Sequence, residues 1–401
     1  MNEAPGEATM PSEDEMENPE VSVVMPCLNE ADTLAICIEK AWRALREHNT
    51  AGEIIVADNG SKDDSRAIAL RHGARVVEVT SPGYGSALMG GIAAARGPLV
   101  VMGDADDSYD FLEIPKFVAR LRQGFALVQG CRLPAGGGTV LPGAMPRLHR
   151  WLGNPFFSML VRRWFHAPIH DVYCGMRGFR KELFERLDQR CTGMEFATEM
   201  IIKASLGQER IAEVPITLHP DGRISHRPHL KTFRDGWRTL RFFLMCSPRW
   251  LFLWPGLALV FTGLCGYAIA LPGVAIGPMH FDAHTLLFAT LFILCGYQSV
   301  LFAIFARTFA YTEGILPVNR NLLRFYKVLN LERGLVIAGL AMLVGTGLLL
   351  AAINQWRLAG FGRLDYAHTM RLVIPGATLL ALGFQTVLSS FLISLLGMKR
   401  R

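Results

Sequence analysis

No two cysteines in this chain stand at metal-ligand spacing. The eight cysteines (27, 37, 131, 174, 191, 246, 265 and 295) form neither a CxxC pair nor a zinc pattern, so a structural zinc has no support and the thiols read as reduced and mostly buried. The first 250 residues also lack any uncharged stretch long enough to span a bilayer. Residues 1–20 are acidic, contain proline and have no apolar core; this excludes a signal peptide there and reads as a disordered tail. Charge is scarce too, at 19% Asp, Glu, Lys and Arg against 51% hydrophobic residues, a balance too apolar for a purely soluble protein of this size. The net charge of +6 is modest, and no nucleic acid is expected as a partner.

What the first part lacks, the last 40% has. Four uncharged windows, 251–271, 285–306, 334–353 and 372–398, each reach the length of a membrane-spanning helix. Basic residues crowd the approach to the first (Lys231, Arg234, Arg238, Arg241, Arg249) and the connection between the second and third (Arg307, Arg320, Arg324, Lys327, Arg333), and Lys399, Arg400 and Arg401 follow the fourth. The loop between the first two windows has none. The positive-inside rule therefore puts the N-terminal part, the middle connection and the C-terminus on the cytoplasmic side of a plasma or bacterial inner membrane. The windows contain no Asp, Glu, Lys, Arg or His, so they lack the coupling groups of a pump. Gln298 and Gln385 are their few strongly polar members and read as helix-packing amides. Short spans of this kind can also pack into a dimer or tetramer. From residue 230, Phe233, Trp237, Leu240 and Leu244 recur at helical spacing beside Lys231, Arg234, Arg238 and Arg241, the pattern of a helix lying in the headgroup layer.

Residues 21–250 show a different rhythm. Short β-branched runs at 21–25, 53–57, 75–79, 99–102 and 126–129 read as strands, and segments at about 30–48, 63–71, 86–96 and 111–122 read as helices, several closed by glycine. This alternation predicts an α/β domain, a mostly parallel sheet with helices on both faces. The organisation expected is a tail (1–20), an α/β domain (21–228), amphipathic juxtamembrane helices (229–250) and an all-α membrane domain (251–401).

Ligands of such sheets sit at the carboxyl ends of the strands, and here those ends are polar. "PCLNE" follows the first strand, "DNGS" the second, and "VVMGDADDSYD" sets four aspartates within seven residues after an apolar run. Asp104 and Asp106 are two apart, so in extended chain their carboxylates point the same way. Paired carboxylates together with substrate phosphates suit Mg²⁺ or Mn²⁺, which prefer hard oxygen ligands. Taken alone, the same letters would read as an acidic turn, with Asp110 capping a helix from Phe111 and Asp107 completing the turn.

The ordered set "VSVVMPCLNE", "IIVADNGSKDDS", "SPGYGSALMGGIAAARG" and "VVMGDADDS" resembles the family 2 glycosyltransferases of GT-A fold, in particular the dolichyl- or polyprenyl-phosphate sugar synthases. The resemblance covers about residues 20–245. It implies that Asp104 and Asp106 bind the metal on a nucleotide-sugar diphosphate, Asp106 being catalytic in that sense. It further implies a donor pocket of Pro26, Asn29, Glu30, Asp58, Gly85, Ala105 and the Asp104–Asp106 pair, closed by a basic loop with Arg223 and Lys231. Arg132 and Arg150 would hold the phosphate of the lipid acceptor, the former at the reacting centre, and Glu195 would be an acid/base or positioning group, with Asp171 and Glu199 as further candidates. His226 and His229 read as ordinary loop residues. Many members carry Gln where this chain has Ser108, so no metal contact is assigned to Ser108.

The implied reaction is inverting transfer of one hexose from UDP-glucose or GDP-mannose to polyprenyl phosphate. A lipid phosphate is already ionised at neutral pH, so no protein base is required. A processive polysaccharide synthase is the alternative enzyme, but its Gln-x-x-Arg-Trp motif is absent. A lipid or solute carrier with a degenerate transferase domain is the non-enzymatic alternative.

Overall fold

Seven residues of unbroken apolar or small character, Val21–Cys27 (β1), are buried along their whole length, as a strand covered on both faces must be. The computed structural model describes residues 18–224, 232–312 and 330–397. The chain divides into two units, Met1–Phe242 and Phe243–Arg401.

In the first unit β1 is followed by α1 (Leu34–Glu47), β2 (Gly52–Asp58), α2 (Ser65–Arg71), β3 (Arg75–Glu78), α3 (Tyr84–Ala94) and β4 (Leu99–Met102). A 3₁₀ turn at Phe111–Glu113 leads into α4 (Ile114–Arg122), and Asp110 caps it by accepting the Leu112 N–H at 3.1 Å. Then come β5 (Leu127–Cys131), β6 (Thr139–Val140), α5 (Asn154–Phe165), β7 (Arg177–Arg180), α6 (Lys181–Leu187), α7 (Glu195–Leu206), β8 (Ile211–Pro215) and β9 (Thr217–Leu218). The main sheet has the order β3-β2-β1-β4-β7-β5-β8. It is parallel except at β7, which runs antiparallel to both β4 and β5. The expected mostly parallel α/β sheet is thus present, with the tetrapeptide Arg-Gly-Phe-Arg inserted near its centre.

The apolar faces of α1 and α4 pack on the sheet through Leu34, Ile38, Leu45, Phe117 and Leu121, all almost fully buried. Each such side chain contributes about 1.5–3 kcal/mol of transfer free energy. One boundary departs from the periodic pattern: the first helix begins at Leu34 rather than near Glu30. Residues 29–33 are instead a turn, in which Asn29 has a φ of 60° and the Asn29, Glu30 and Ala31 N–H groups donate to Ser61, Ser65 and Asp63.

Helix α8 (Thr232–Cys246) leads into the second unit. There α9 (Trp254–Ala270), the hairpin of β10 (Ala275–Ile276) and β11 (Met279–His280), α10 (Ala283–Thr312), α11 (Leu331–Leu358) and α12 (Tyr366–Leu396) follow. Four helical stretches, Arg249–Ala270, Ala283–Thr312, Leu331–Leu358 and Tyr366–Leu396, are long and apolar enough to cross a membrane. The shortest has 22 residues, and about 33 Å of helix exceeds a hydrocarbon core of about 30 Å. Glycines let neighbouring helices touch: a Cβ on Gly256 would lie 2.8 Å from the Gly296 carbonyl oxygen, and one on Gly345 2.7 Å from that of Gly376. Gln298 and Gln385, expected to join helix packing, line a cavity of about 450 Å³.

Candidate active site

Every strand that carries an acidic end in the sequence delivers it to the carboxyl edge of the sheet. The ends of β1, β2 and β4 lie side by side, since Cys27 pairs with Asp58 and Val24 with Met102. The side chains beyond those ends are held by hydrogen bonds between segments that are far apart in sequence.

Asp104 accepts the Tyr84 phenol at 2.8 Å through Oδ1. Burial, and then the nearby Asp106 carboxylate, raise its pKa to about 6. Ala105, fully buried, turns its carbonyl to the Thr33 hydroxyl at 2.6 Å. Asp106 Oδ1 accepts both the Ser108 N–H, at 3.1 Å, and the Ser108 hydroxyl, at 2.6 Å. Ser108 therefore orients the second carboxylate. Asp107 faces elsewhere, paired with Lys40 at 2.8 Å and left-handed at φ 58°.

Arg223 reaches the same place from the other end of the domain. Its guanidinium grips Glu30 with two hydrogen bonds of 2.7 Å, and Nη2 lies 3.4 Å from Asp106 Oδ2. Asp221 adds a third carboxylate at 3.1 Å. Backbone pairing sets this approach: Gly222 N–H donates to the Asp106 carbonyl and His219 N–H to that of Ser108. Burial opposes the charge on Arg223, but the hydrogen bonds with Glu30 and the field of Asp106 outweigh it and hold the side chain firmly protonated. Glu30, Asp106 and Asp221 thus share one guanidinium, which leaves these three carboxylates with negative charge in excess.

Asp58 is buried at the end of β2, accepting the Gly60 and Ser61 N–H groups and the Arg66 Nε–H. Burial alone would raise its pKa, yet these bonds, with Ser61 and Arg66 foremost, bring it below the ordinary value. Asn29 accepts the Lys62 N–H through Oδ1, tying the β1 loop to the β2 loop, and Pro26 lies next to the buried end of β1. Gly85 has a packing reason: a Cβ there would lie 2.4 Å from the Cys191 carbonyl oxygen.

The residues expected on the acceptor side divide into two groups. Arg132 is buried and locked to Asp171, with Nε–H to Oδ2 at 2.7 Å and Nη2–H to Oδ1 at 2.9 Å. Asp171, read as an acid/base candidate, is therefore the anchor of an arginine. Arg132 also donates to the Tyr109 hydroxyl at 3.3 Å, and its charge lowers the pKa of Asp104. Arg150 lies in a wide π-helical turn, His149–Gly153, and its buried Nε–H has no hydrogen-bond partner among the described residues. Beside it Trp151 is 70% and Leu152 63% exposed, and Leu148, Phe156 and Met159 continue the apolar stripe at helical spacing. Arg147, Arg162 and Arg163 flank it.

Glu195 and Glu199 open α7. Glu195 pairs with Arg238 at 2.9 Å. Glu199, buried, accepts the Arg190 and Cys191 N–H groups and lies 2.8 Å from Lys203, so it holds a loop in place. Lys231, His226 and His229 lie outside the described residues. Sequence reasoning missed Tyr84, Tyr109 and Arg177. The last is completely buried on β7, with Nη2–H on the Cys174 carbonyl at 2.7 Å and Nη1–H on that of Ala197.

An α/β sheet whose carboxyl edge gathers paired aspartates, a gripped arginine and further buried carboxylates, on a chain with four apolar spans, fits a membrane-bound transferase of the GT-A kind. The model of glycosyl transferase family 2 matches residues 22–188, and that of the glycosyltransferase family 2 C-terminal transmembrane region matches residues 304–397. The chain is 38% identical over 386 residues to the low-salt glycan biosynthesis hexosyltransferase Agl6 of Haloferax volcanii, covering 94% of this chain and 89% of that one. This chain belongs to glycosyltransferase family 2 and is an integral membrane protein. It is also 34% identical over 198 residues to the dolichyl-phosphate hexose transferase of the same organism, across 49% of this chain and 82% of that one. Among solved structures, the glucosyl-3-phosphoglycerate synthase of Mycobacterium tuberculosis, in complex with Mn²⁺, UDP and glucosyl-3-phosphoglycerate, is similar at 24% identity and a TM-score of 0.46 over 59% of this chain and 82% of that one.

Proposed function

We propose that this membrane glycosyltransferase moves a single hexose from a nucleotide sugar, UDP-glucose or GDP-mannose, to polyprenyl phosphate at the cytoplasmic face, with inversion. The observation that carries the donor half is the meeting of Asp104, Asp106, Glu30 and Arg223 at one sheet edge. A relative named as a dolichyl-phosphate hexose transferase supports the acceptor class. So does Arg150, with its unpartnered buried N–H beside an exposed apolar stripe, an arrangement suited to a phosphate carried on a lipid.

Asp104 and Asp106 fit a divalent cation. Both offer carboxylate oxygens, and Asp104 Oδ2 has no hydrogen-bond partner among the described residues. A bound Mg²⁺ or Mn²⁺ would supply Lewis-acid neutralisation of the departing diphosphate. The protein's own residues do the rest. Ser108 orients Asp106, Arg223 brings a second positive charge to the diphosphate edge, and Glu30 and Asp58 offer acceptors to base or ribose donors. Arg132, fixed by Asp171, adds a constant positive potential. The acceptor phosphate oxygen forms the bond to the anomeric carbon as the bond to the diphosphate oxygen breaks, and the nucleoside diphosphate leaves. No proton needs removing from the acceptor. The basic clusters flanking the spans support a cytoplasmic position for the N-terminal unit.

The test is transfer of labelled sugar from a panel of nucleotide sugars to polyprenyl phosphate by the detergent-solubilised chain, with Mn²⁺ or with EDTA, and the anomer of the product read by NMR. One radiolabelled phosphodiester product, formed only with metal, supports the reading. Retention of the donor's anomeric configuration, or a polymeric product, sinks it.

A further inference from the structure

Helix α3 opens with Gly83-Tyr84-Gly85, and nothing about a helix start calls for the aromatic. The Tyr84 hydroxyl donates to Asp104 Oδ1 at 2.8 Å, and Tyr84 is the hydrogen-bond partner of Asp104 among the described residues.

The backbone that carries Tyr84 is clamped on both sides. Gly83 has a φ of 131°, and a Cβ on it would lie 2.3 Å from the Thr192 carbonyl oxygen, while Gly85 packs as closely under Cys191. Ser86 N–H donates to that Thr192 carbonyl at 3.2 Å, and Gly83 N–H to Asn59 Oδ1 at 2.8 Å. The loop overhead is itself pinned, because Glu199 takes the Arg190 and Cys191 N–H groups. On the far side of the carboxylate the Gly175 backbone packs close to Oδ2, so that a Cβ there would lie 2.7 Å from that oxygen. One oxygen of Asp104 is thus held by a rigidly mounted donor, and the other has no hydrogen-bond partner among the described residues.

We propose that Tyr84 is a positioning residue for Asp104: it fixes the rotation of the carboxylate so that Oδ2 is the oxygen presented to a divalent cation. This rests on the reading of Asp104 and Asp106 as the cation's ligands. Losing a group that orients a metal-binding side chain weakens metal binding by about ten- to a hundredfold. Occupancy restored by excess metal restores the geometry of the transition state, so the loss appears in the metal requirement more than in the maximal rate.

The experiment titrates Mn²⁺ by electron paramagnetic resonance into the full chain in detergent, for the wild type, Tyr84→Phe and Asp104→Asn. Metal-free binding of UDP and GDP and the melting temperature are measured alongside, because Tyr84→Phe removes one oxygen and leaves the ring. The expected result is Mn²⁺ affinity about tenfold to a hundredfold weaker in Tyr84→Phe, with unchanged metal-free nucleotide binding, melting lowered by no more than the loss of one buried hydrogen bond, and a kcat that recovers at saturating Mn²⁺. If the wild type binds Mn²⁺, Asp104→Asn loses it and Tyr84→Phe stays within about twofold of the wild type, the positioning role is overturned and the metal site stands. If the wild type binds no Mn²⁺, with or without UDP or GDP, the metal reading fails and the role of Tyr84 with it.

Discussion

Acidification should loosen a divalent cation from the aspartate pair while tightening the fold around it. Burial first, and then Asp106, raise the pKa of Asp104 from 3.8 to about 6, against the opposing hydrogen bond from Tyr84 and the charges of Arg223 and Arg132. A carboxylate must be deprotonated to bind a metal, so below that pKa each binding event displaces a proton. Between pH 7 and pH 5 the ionised fraction falls about tenfold, and Mn²⁺ affinity should fall with it, whereas an aspartate of ordinary pKa would barely respond. The stability effect has the opposite sign. A group whose folded pKa is raised takes up protons more readily folded than unfolded, so the contribution is fully present below the unfolded pKa and is lost as pH rises through the folded one. A shift of about two units corresponds to about 3 kcal/mol in all, of which about 1.4 kcal/mol falls between pH 7 and pH 5. Asp58 and Glu53, whose hydrogen bonds hold them below the ordinary range despite burial, titrate further down and act the other way. The informative window is therefore pH 7 to 5. The assay is Mn²⁺ titration of the metal-free chain at half-unit steps, without nucleotide because a terminal phosphate titrates near the same pH, together with thermal melting in chelator. Constant Mn²⁺ affinity across that window, or a break below about pH 4.5, would refute the electrostatic account of the pair.

Asp106→Asn should cut sugar transfer by at least about a hundredfold, without rescue by excess Mn²⁺, as measured with labelled donor. Glu199→Ala leaves Lys203 on the Leu187 and Asp188 carbonyls but takes the carboxylate from the Arg190 and Cys191 N–H groups, so melting should fall by the equivalent of about 2 kcal/mol. Glu195→Ala breaks a pair with the half-exposed Arg238 and should lower stability by less than about 1 kcal/mol; the two variants compared by thermal shift give the contrast. Arg150→Ala should raise KM for polyprenyl phosphate about tenfold and leave KM for the nucleotide sugar unchanged, since one charge-assisted hydrogen bond is lost on the acceptor side alone.

Much of the architecture was legible in the chain because it is written in local periods. Four apolar windows correspond to four helices, and five of the strands lie within two residues of their expected bounds. Asp110 could be read as a cap because a cap acts over a few residues, and the structure has it accepting from Leu112. The resemblance located Asp104, Asp106, Glu30, Asp58 and Arg223, and the fold gathers them at one edge. What they do to one another was not legible. Ser108 steadies Asp106, Asp171 immobilises Arg132 and Glu199 holds a loop, and none of these is implied by residue type.

The sequence by itself determined the alternating α/β unit, the four spans and an acidic edge, because each rests on side-chain period or on residues adjacent in the chain. Only the tertiary structure decided that Arg-Gly-Phe-Arg becomes an antiparallel strand with Arg177 fully buried, since four residues with two arginines carry no strand period of their own and pair only because β4 and β5 flank them. It likewise decided that Arg223 grips Glu30 across 193 positions and that Tyr84 holds Asp104 across 20. An ion pair or a hydrogen bond depends on distance in space, and over such separations that distance is set by how the sheet orders its strands.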